Sequence, residues 1–187
     1  MTPDQRRAMI VAAALPLVAE HGTAVSTAQL ARAAGIGEAT VFRAFGDKDA
    51  LLEACVAEAL RPDSALDAIA EIPLGLPLRE RLTEAARELE AHLNRMGTVI
   101  GALHATGWLA ERPPPTPDGA NARTESMRTT VDALVALLEP DSDTLRLPAE
   151  QLAAVLLTQL FSRHRPIAGG ELTVEQHIDL FLDGALA

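Results

Sequence analysis

The stretch ARAAGIGEATVFRAFGDKDALL, residues 31–52, decides the fold of this 187-residue chain. Its two glycines, Gly35 and Gly37, are spaced like the first two of a loop that cradles a dinucleotide. Such a loop needs a strand before it, a third glycine and a long helix after it. Here a helical pattern comes before, Thr40 takes the place of the third glycine, and the helix that follows spans only about two turns. The pattern therefore argues against a dinucleotide site.

The same residues are typical of a helix-turn-helix, in which a tight turn joins two short helices. Gly35 is free to adopt a positive φ in that turn, and Ile36 is expected to pin the two helices together. In the second helix Val41 and Phe45 are spaced i, i+4 and are predicted to face inward, with Phe42 partly alongside them. The spacing predicts that residues 38–45 form a recognition helix.

The residues left on the outer face of that helix are the candidates for contact with a duplex. Small side chains at Ala39 and Thr40 allow the backbone to approach a groove, and Arg43 is long enough to reach a base edge or phosphate. A surface ion pair is the alternative for Arg43. Glu38 either complements the helix dipole or contacts a base. Thr27 either caps its helix only or also contacts a phosphate.

Composition favours helices and a reducing compartment. Apolar residues make up 48% of the chain, aromatic residues only 3%, and β-branched runs are few, which suits helices better than strands. The single cysteine, Cys55, excludes an internal disulfide framework and is expected to be a buried packing residue rather than a reactive thiol. These features predict a cytoplasmic protein.

The N-terminal segment superficially resembles a signal peptide, with Arg6 and Arg7 before an apolar run at residues 9–19. Glu20 follows this run directly, without a small-residue cleavage site. We therefore interpret the segment as a helix of the domain. Because no apolar run approaches the roughly 18 residues of a membrane span, we also predict no membrane partner.

Charge is distributed unevenly along the chain. Residues 1–52 hold five of the 16 basic and five of the 26 acidic residues, so the formal net charge of −10 lies entirely in the remaining 135 residues. A neutral head on an acidic body is typical of a two-part molecule in which only the head approaches phosphates.

Helical spacing recurs along the rest of the chain, and no internal repeat or convincing strand is present. A helix is predicted from Pro3, with Thr2 as a cap, to Gly22, and Pro16 is expected to kink it locally. Further helices are predicted at about 26–34, 48–60, 64–72, 78–96, 120–138, 149–163 and 173–186, with a buried segment at 97–109, an exposed loop at 113–117, a linker at 140–148 and a turn at 166–170. The predicted fold class is all-α.

The N-terminal part of the chain strongly resembles the TetR (tetracycline-repressor-like) family of transcriptional regulators. The matching residues lie in the first 55 or so: Ile10, Ala13, Ala14, Glu20, Gly22, Ser26, Thr27, Leu30, Ala31, Ala34, Gly35, Ile36, Thr40, Val41, Phe42, Phe45, Lys48, Leu51 and Leu52. The resemblance implies a three-helix DNA-binding head at residues 1–48 and a larger helical ligand-binding and dimerisation domain at residues 49–187. It also implies a homodimer that a small molecule releases from its operator.

Three positions depart from the family pattern. The usual serine that caps the recognition helix is Gly37, which supplies no side-chain acceptor and costs a few tenths of a kcal/mol. The usual glycine is Ala39, which favours the helix. The usual tyrosine, which often donates to a phosphate, is Phe42, so a hydrogen bond worth about 0.5–1.5 kcal/mol is lost. Lys48 stands where the family places a phosphate anchor, and a merely solvated charge is the alternative.

The sequence thus predicts three sets of binding residues. The DNA-contacting set is Thr27, Glu38, Ala39, Thr40, Phe42, Arg43, Lys48 and Arg6, with Arg7 as a further residue that steers the duplex. The ligand-contacting set, for the cavity that the resemblance implies, is His92, Met96, His104, Trp108 and Met127, for which plain core packing is the alternative. The dimer set is Leu152, Leu156, Gln159 and Leu160 on one terminal helix and Ile178, Phe181 and Leu182 on the other. A monomer that exposed both apolar stripes would carry an unusually large apolar patch, so a partner is expected to cover them. The alternative is that one of these helices closes the core of its own domain.

Catalysis is not predicted. The histidines show no metal-ligand spacing with each other or with Cys55, and the chain has neither a GxSxG elbow nor a phosphate loop. We predict no catalytic residue, no metal and no cofactor. The predicted function is a homodimeric repressor that binds a palindromic double-stranded operator and is released by a small apolar or amphipathic effector. The alternative is a small-ligand enzyme or binding protein that retains a vestigial DNA-binding head.

Overall fold

The computed structural model describes residues 1–110, 117–163 and 172–186, and over these residues the chain is all-α, as predicted. Its helices are α1 (Pro3–His21), α2 (Thr27–Ala33), α3 (Glu38–Phe45), α4 (Lys48–Ala59), α5 (Asp63–Ala70), α6 (Leu78–Ala105), α7 (Pro117–Leu138), α8 (Ala149–Arg163) and α9 (Val174–Ala185). Two 3₁₀ turns, Gly22–Ala24 and Glu139–Thr144, follow α1 and α7. No helix of the described ranges is long and apolar enough to cross a membrane.

Local capping signals explain where four of these helices begin: α1, α2, α4 and α9. Thr2, Ser26 and Thr173 each accept a hydrogen bond from the backbone N–H three residues on, and each has a glutamine there whose side chain accepts from the N–H of the cap residue. Asp47 caps α4 by accepting from the N–H of Ala50 at 2.7 Å. These reciprocal bonds satisfy backbone donors that a helix leaves free at its start. Pro16 lies inside α1, which continues through it to His21.

The chain divides into two compact units. The first comprises Met1–Arg61 and Arg95–Pro114, and the second comprises Pro62–Asn94 and Pro115–Ala187. The predicted boundary between functional domains, after residue 48, differs from this division. The first unit reaches further because Leu51, Leu52 and Cys55 of α4 are buried in the same core as α1.

The core of the first unit is formed by side chains from α1 to α4 and from the end of α6. Its buried members are Ile10, Val11, Ala14, Val18, Val25, Leu30, Ala31, Val41, Phe45, Leu51, Leu52, Cys55, Val99 and Leu103. Burial, together with the charge of Glu58, raises the pKa of the Cys55 thiol to about 12. The thiol is therefore protonated and buried, in agreement with the prediction of a packing residue.

The core of the second unit is formed by α5, the first part of α6 and α7 to α9. Leu82, Ala85, Ala86, Leu89 and Leu93 of α6 are buried in this core. Arg81 is 2% exposed and donates one hydrogen bond to the carbonyl oxygen of Leu74 at 2.6 Å and another to the carboxylate of Asp141. The 3₁₀ turn after α7 is thus fixed to α6.

Several predicted segments differ from the structure or lie outside the described residues. The helix predicted at 78–96 continues to Ala105, and the prediction that residues 97–109 are buried is wrong. Only Val99 and Leu103 of that segment are buried, because residues four apart share one face of a helix and the other faces are exposed. The predicted linker at 140–148 contains a 3₁₀ turn, and α7 begins at Pro117, where proline is favoured. The loop residues 113–116 and the turn 166–170 lie outside the described residues.

Candidate nucleic-acid interface

The turn between α2 and α3 has the geometry that the sequence predicted. Gly35 has φ +66°, a left-handed conformation that favours glycine. The N–H of Ile36 donates to the carbonyl oxygen of Ala31 at 3.0 Å, and the N–H of Gly35 donates to that of Arg32 at 3.1 Å. These bonds close α2, and α3 begins after the four residues 34–37.

Helix α3 has one buried face and one exposed face. Val41 and Phe45 are 2% and 7% exposed, so the prediction that they face inward is confirmed. The prediction that Phe42 lies partly alongside them is wrong, because its side chain is 46% exposed. One residue advances a helix by about 100°, which carries Phe42 out of the buried face that Val41 and Phe45 share.

The exposed face of α3 consists of Glu38, Ala39, Phe42 and Arg43. Thr40 is half-buried, and its N–H donates to the carbonyl oxygen of Gly37 at 2.8 Å. Gly37 is the N-cap residue, with φ −79°, and makes no side-chain hydrogen bond there. The face therefore offers one cation, one anion, one aromatic ring and one methyl group to an approaching molecule.

The side chains of Thr27 and Glu38 meet at the starts of α2 and α3. The Thr27 hydroxyl donates to Oε2 of Glu38 at 2.9 Å. Ser26, not Thr27, caps α2, so the prediction that Thr27 serves as a cap does not hold. A phosphate contact by Thr27 would have to share or replace its bond to Glu38.

Lys48, Arg6 and Arg7, the three basic residues predicted to contact or steer the duplex from outside α3, have different surroundings. Lys48 is half-buried, and its Nζ donates to the carbonyl oxygen of Thr23 at 2.5 Å. Arg6 is exposed on α1. Its neighbour Arg7 donates from Nη1 to the carbonyl oxygen of Ala44 at 2.5 Å, at the end of α3. No sequence signal identifies this contact, because the partners are 37 residues apart.

The five predicted ligand contacts belong to different units. His92 is buried and Met127 is 47% exposed in the second unit, whereas Met96, His104 and Trp108 belong to the first. The Trp108 indole Nε1 donates to Oδ1 of Asp49 at 3.0 Å, a contact that sequence reasoning missed. The predicted lining of a cavity by these five residues stays a prediction.

The second unit has an open recess of about 150 Å³ that includes none of the predicted ligand contacts. It is lined by Arg79, Glu80, Thr83, Glu84, Arg87 and Glu175. Two ion pairs between α6 and α9 lie here, Arg79 with Asp179 at 2.6 Å and Arg87 with Glu175 at 2.6 Å. The recess is therefore polar and already internally paired. No group of three or more metal-ligating side chains occurs among the described residues.

The residues predicted to form the dimer interface are buried in the second unit's own core. Leu152, Leu156, Leu160, Ile178, Phe181 and Leu182 are all at most 8% exposed. The premise that α8 and α9 expose these stripes is wrong, because the stripes pack on each other and on α5 to α7 within one chain. Gln159 is half-buried, and its buried Oε1 has no hydrogen-bond partner in the described part of the chain. The large apolar residues that α8 and α9 do expose are Val155, Phe161 and Leu180.

The short helices α2 and α3, their tight turn and the exposed face of α3 define a helix-turn-helix protein of the DNA-binding class. Residues 10–55 match the family described as "Bacterial regulatory proteins, tetR family". This match confirms, over residues 10–55, the resemblance to the TetR family that the sequence predicted. No curated protein matches the chain significantly.

Solved structures of similar fold cover nearly the whole chain. A transcriptional regulator from Rhodococcus sp. Rha1 is 24% identical, with 99% of this chain and 98% of that chain covered and a TM-score of 0.62. A TetR-family protein from Mesorhizobium loti is 16% identical, with full coverage of both chains and a TM-score of 0.63. A TetR transcriptional regulator from Streptomyces coelicolor is 25% identical, with 96% and 98% covered and a TM-score of 0.57. The fold of both units is therefore that of these regulators.

Proposed function

We propose that the chain is a homodimeric repressor that binds a palindromic operator and leaves it when a small apolar or amphipathic ligand binds. The observation that carries this proposal is the exposed face of α3. Buried Val41 and Phe45 hold the helix against the core, while Ala39, Phe42 and Arg43 remain exposed. The proposal assigns the chain no catalytic step and a cytoplasmic site of action.

In this proposal residues 1–48 contact DNA through two kinds of side chain. Arg43 reads a base edge, for which a guanidinium offers two parallel donors, and Ala39 and Thr40 let the helix backbone approach the groove. Glu38 and Phe42 lie beside them on α3. Thr27, Lys48 and Arg6 contact phosphates and set the orientation of the head. The neutral charge of residues 1–52, against −10 for the remainder, supports an approach to DNA by the head alone.

Dimerisation belongs in this proposal to residues 49–187 and uses the outer face of α8. The exposed residues there recur at helical spacing and carry no charge: Ala154, Val155, Thr158, Phe161 and Ser162. Charged residues are depleted at the centres of protein interfaces, and small residues permit close approach of helices. Leu180 extends the apolar surface on α9. A two-fold partner presents the same face, so each copy covers the patch of the other.

Ligand control follows from two arrangements of the larger domain. A ligand that binds one arrangement more tightly shifts the population towards it, and only this difference in affinity changes DNA binding. We propose that His92, Met96, His104, Trp108 and Met127 respond to the ligand through contacts made in the ligand-bound arrangement. The two heads then no longer match half-sites about 34–36 Å apart, or a multiple of that spacing.

The test is selection of bound duplexes from a randomised library by the purified chain, followed by footprinting. We expect a palindrome with two half-sites, protected at equal protein concentration. Arg43→Ala should weaken binding by about 1–3 kcal/mol and relax base preference at one position per half-site. Arg95→Ala removes an exposed arginine outside the helix-turn-helix and serves as the matched control. Recovery of no consensus from the library would refute the proposal, and equal weakening of specific and random DNA by Arg43→Ala would make Arg43 a phosphate contact.

A further inference from the structure

Arg7 joins α1 to the last turn of the recognition helix by two contacts. Its Nη1 donates to the carbonyl oxygen of Ala44 at 2.5 Å, and its guanidinium carbon lies 4.4 Å from the centroid of the Phe45 ring. Both partners are the final residues of α3, and Phe45 is only 7% exposed. Arg7 itself lies on the exposed side of α1.

The Arg7 guanidinium supplies a hydrogen-bond donor and a positive charge at the C-terminal end of α3, where a helix lacks both. The last four carbonyl groups of a helix have no partner within the helix, and that of Ala44 is one of them. A cation at this end also faces the negative pole of the helix dipole. The ring of Phe45 adds a cation–π contact, and arginine is the side chain best able to stack on a ring and donate sideways at once.

Helix α3 is short and lacks a side-chain cap, so it depends on such outside contacts. It has eight residues, and helices shorter than about 12 residues are marginal without tertiary packing. Its N-cap, Gly37, makes no side-chain hydrogen bond, whereas the caps of α1, α2 and α4 all do. The bond from Thr27 to Glu38 secures one end of α3, and Arg7 secures the other.

We infer that Arg7 is a positioning residue for operator recognition. It fixes the angle of α3 on α1, and thereby places Arg43 against the bases, without contacting DNA itself. This inference rests on the proposed function. Arg6, the residue before Arg7, is assigned the other role: it contacts a phosphate and does not hold α3 in place. The distinction matters because base contacts require placement within about 0.5 Å, whereas phosphate contacts tolerate more movement.

The experiment compares Arg7→Gln, Arg7→Lys and Arg6→Gln with the unmodified chain. Dissociation constants are measured for the duplex that the unmodified chain selects and for a random duplex of equal length, each over a range of salt concentrations. Arg7→Gln should lower the ratio of specific to random affinity at least about tenfold and leave the salt slope on random DNA unchanged, because no phosphate contact is lost. Arg7→Lys, which keeps the charge and a donor, should restore part of the ratio. Arg6→Gln should reduce the salt slope by about one and preserve the ratio.

A DNA-independent readout separates this inference from the proposed function. Amide hydrogen exchange in Arg7→Gln should be faster across residues 38–46 and unchanged across residues 49–59, in protein shown to be folded by circular dichroism. If Arg7→Gln does not fold, Phe45→Leu, which keeps an apolar side chain and removes the ring, takes its place in both measurements. An unchanged affinity ratio, unchanged exchange in α3, or a salt slope reduced by one in Arg7→Gln would each overturn the inference. If the unmodified chain selects no sequence, the proposed function fails, and the exchange result alone decides whether Arg7 positions α3.

Discussion

The Lys48 ammonium lies 2.5 Å from the carbonyl oxygen of Thr23, so the first residue of α4 is bonded to the turn that follows α1. The lysine sits directly after the recognition helix, separated from it only by Gly46 and Asp47. A side chain that the sequence marks as a phosphate anchor thus also has a structural partner within its own unit.

Replacement of Lys48 separates these two roles. Lys48→Ala should lower the free energy of unfolding by about 1 kcal/mol through loss of the bond to Thr23. It should also weaken binding to all duplexes alike and reduce the salt slope by about one, if Lys48 contacts a phosphate. Urea denaturation and salt-dependent binding measure the two effects, with Lys48→Arg as the control that keeps the charge. A salt slope equal to that of the unmodified chain would leave Lys48 a structural role only.

Because Phe42 is exposed, a Phe42→Tyr substitution tests whether a hydroxyl at this position strengthens DNA binding. Phe42→Tyr should leave the thermal midpoint nearly unchanged, because the Phe42 side chain is 46% exposed. Operator binding should strengthen modestly, by up to about 1 kcal/mol, if the hydroxyl donates to a phosphate. Titration of the selected duplex with both proteins measures the change. Binding that is equal or weaker would show that this ring does not lie beside the backbone of the duplex.

Gly22 is the glycine that the first unit can least replace. Its φ is +54°, and a Cβ there would lie 2.6 Å from the carbonyl oxygen of Ala102 in α6. Gly22→Ala should therefore destabilise the chain by about 2 kcal/mol or more. Gly101→Ala is the matched control, since a Cβ there meets nothing within 4 Å and alanine favours a helix interior by about 0.5–1 kcal/mol. Denaturant midpoints measure both, and equal midpoints for the two variants would contradict the close approach of α1 and α6.

Dimerisation through α8 and α9 predicts different outcomes for exposed and buried apolar residues. Val155 and Leu180 are 45% and 62% exposed, so Val155→Arg with Leu180→Arg should give a folded monomer that has lost operator affinity. Leu156→Arg should instead unfold the second unit, because Leu156 is fully buried and a charge there has no partner. Sedimentation and circular dichroism distinguish the two results.

The control for the dimer is Leu74→Arg, which changes a residue 51% exposed outside α8 and α9 and should remain dimeric. Sedimentation of the unmodified chain as a monomer at micromolar concentration would contradict both the dimer and the two-half-site mechanism.

Ion pairs between α6 and α9 predict a dependence of stability on pH. The backbone N–H of Glu175, then the Arg87 guanidinium and the Thr173 hydroxyl, lower the pKa of the Glu175 carboxyl from 4.5 to about 2. A lowered pKa contributes stability above the unfolded value, and this contribution is lost as pH falls from about 4.5 towards about 2. The unfolding free energies of the unmodified chain and Glu175→Gln should therefore converge over this range. A difference that stays constant from pH 6 to pH 2 would contradict the lowered pKa.

Residues within one helical turn determined the helix starts and the turn of the helix-turn-helix. Thr2, Ser26 and Asp47 cap their helices, and Gly35 takes the positive φ that its turn needs. These signals are readable from sequence because capping and turn geometry involve only three or four neighbouring residues. The burial of Val41 and Phe45 is equally local, since their spacing of four places both on one side of a helix. The sequence by itself therefore determined the fold class, the position of the helix-turn-helix and its resemblance to the TetR family.

Only the tertiary structure decided which partner each long-range contact has. The apolar stripes of α8 and α9, which include Leu156 and Phe181, fit a dimer interface and a core equally well as sequence patterns. The packing of α5 to α7 against them makes them core. Likewise the sequence predicts Lys48 as a phosphate anchor and Arg7 as a residue that steers the duplex. Only the folded chain brings the carbonyl oxygens of Thr23 and Ala44 within reach of these two side chains. The physical reason is that the sequence of a hydrophobic stripe, or the type of a charged side chain, does not specify which residues it will contact. Burial and hydrogen bonding select those contacts only when the helices pack.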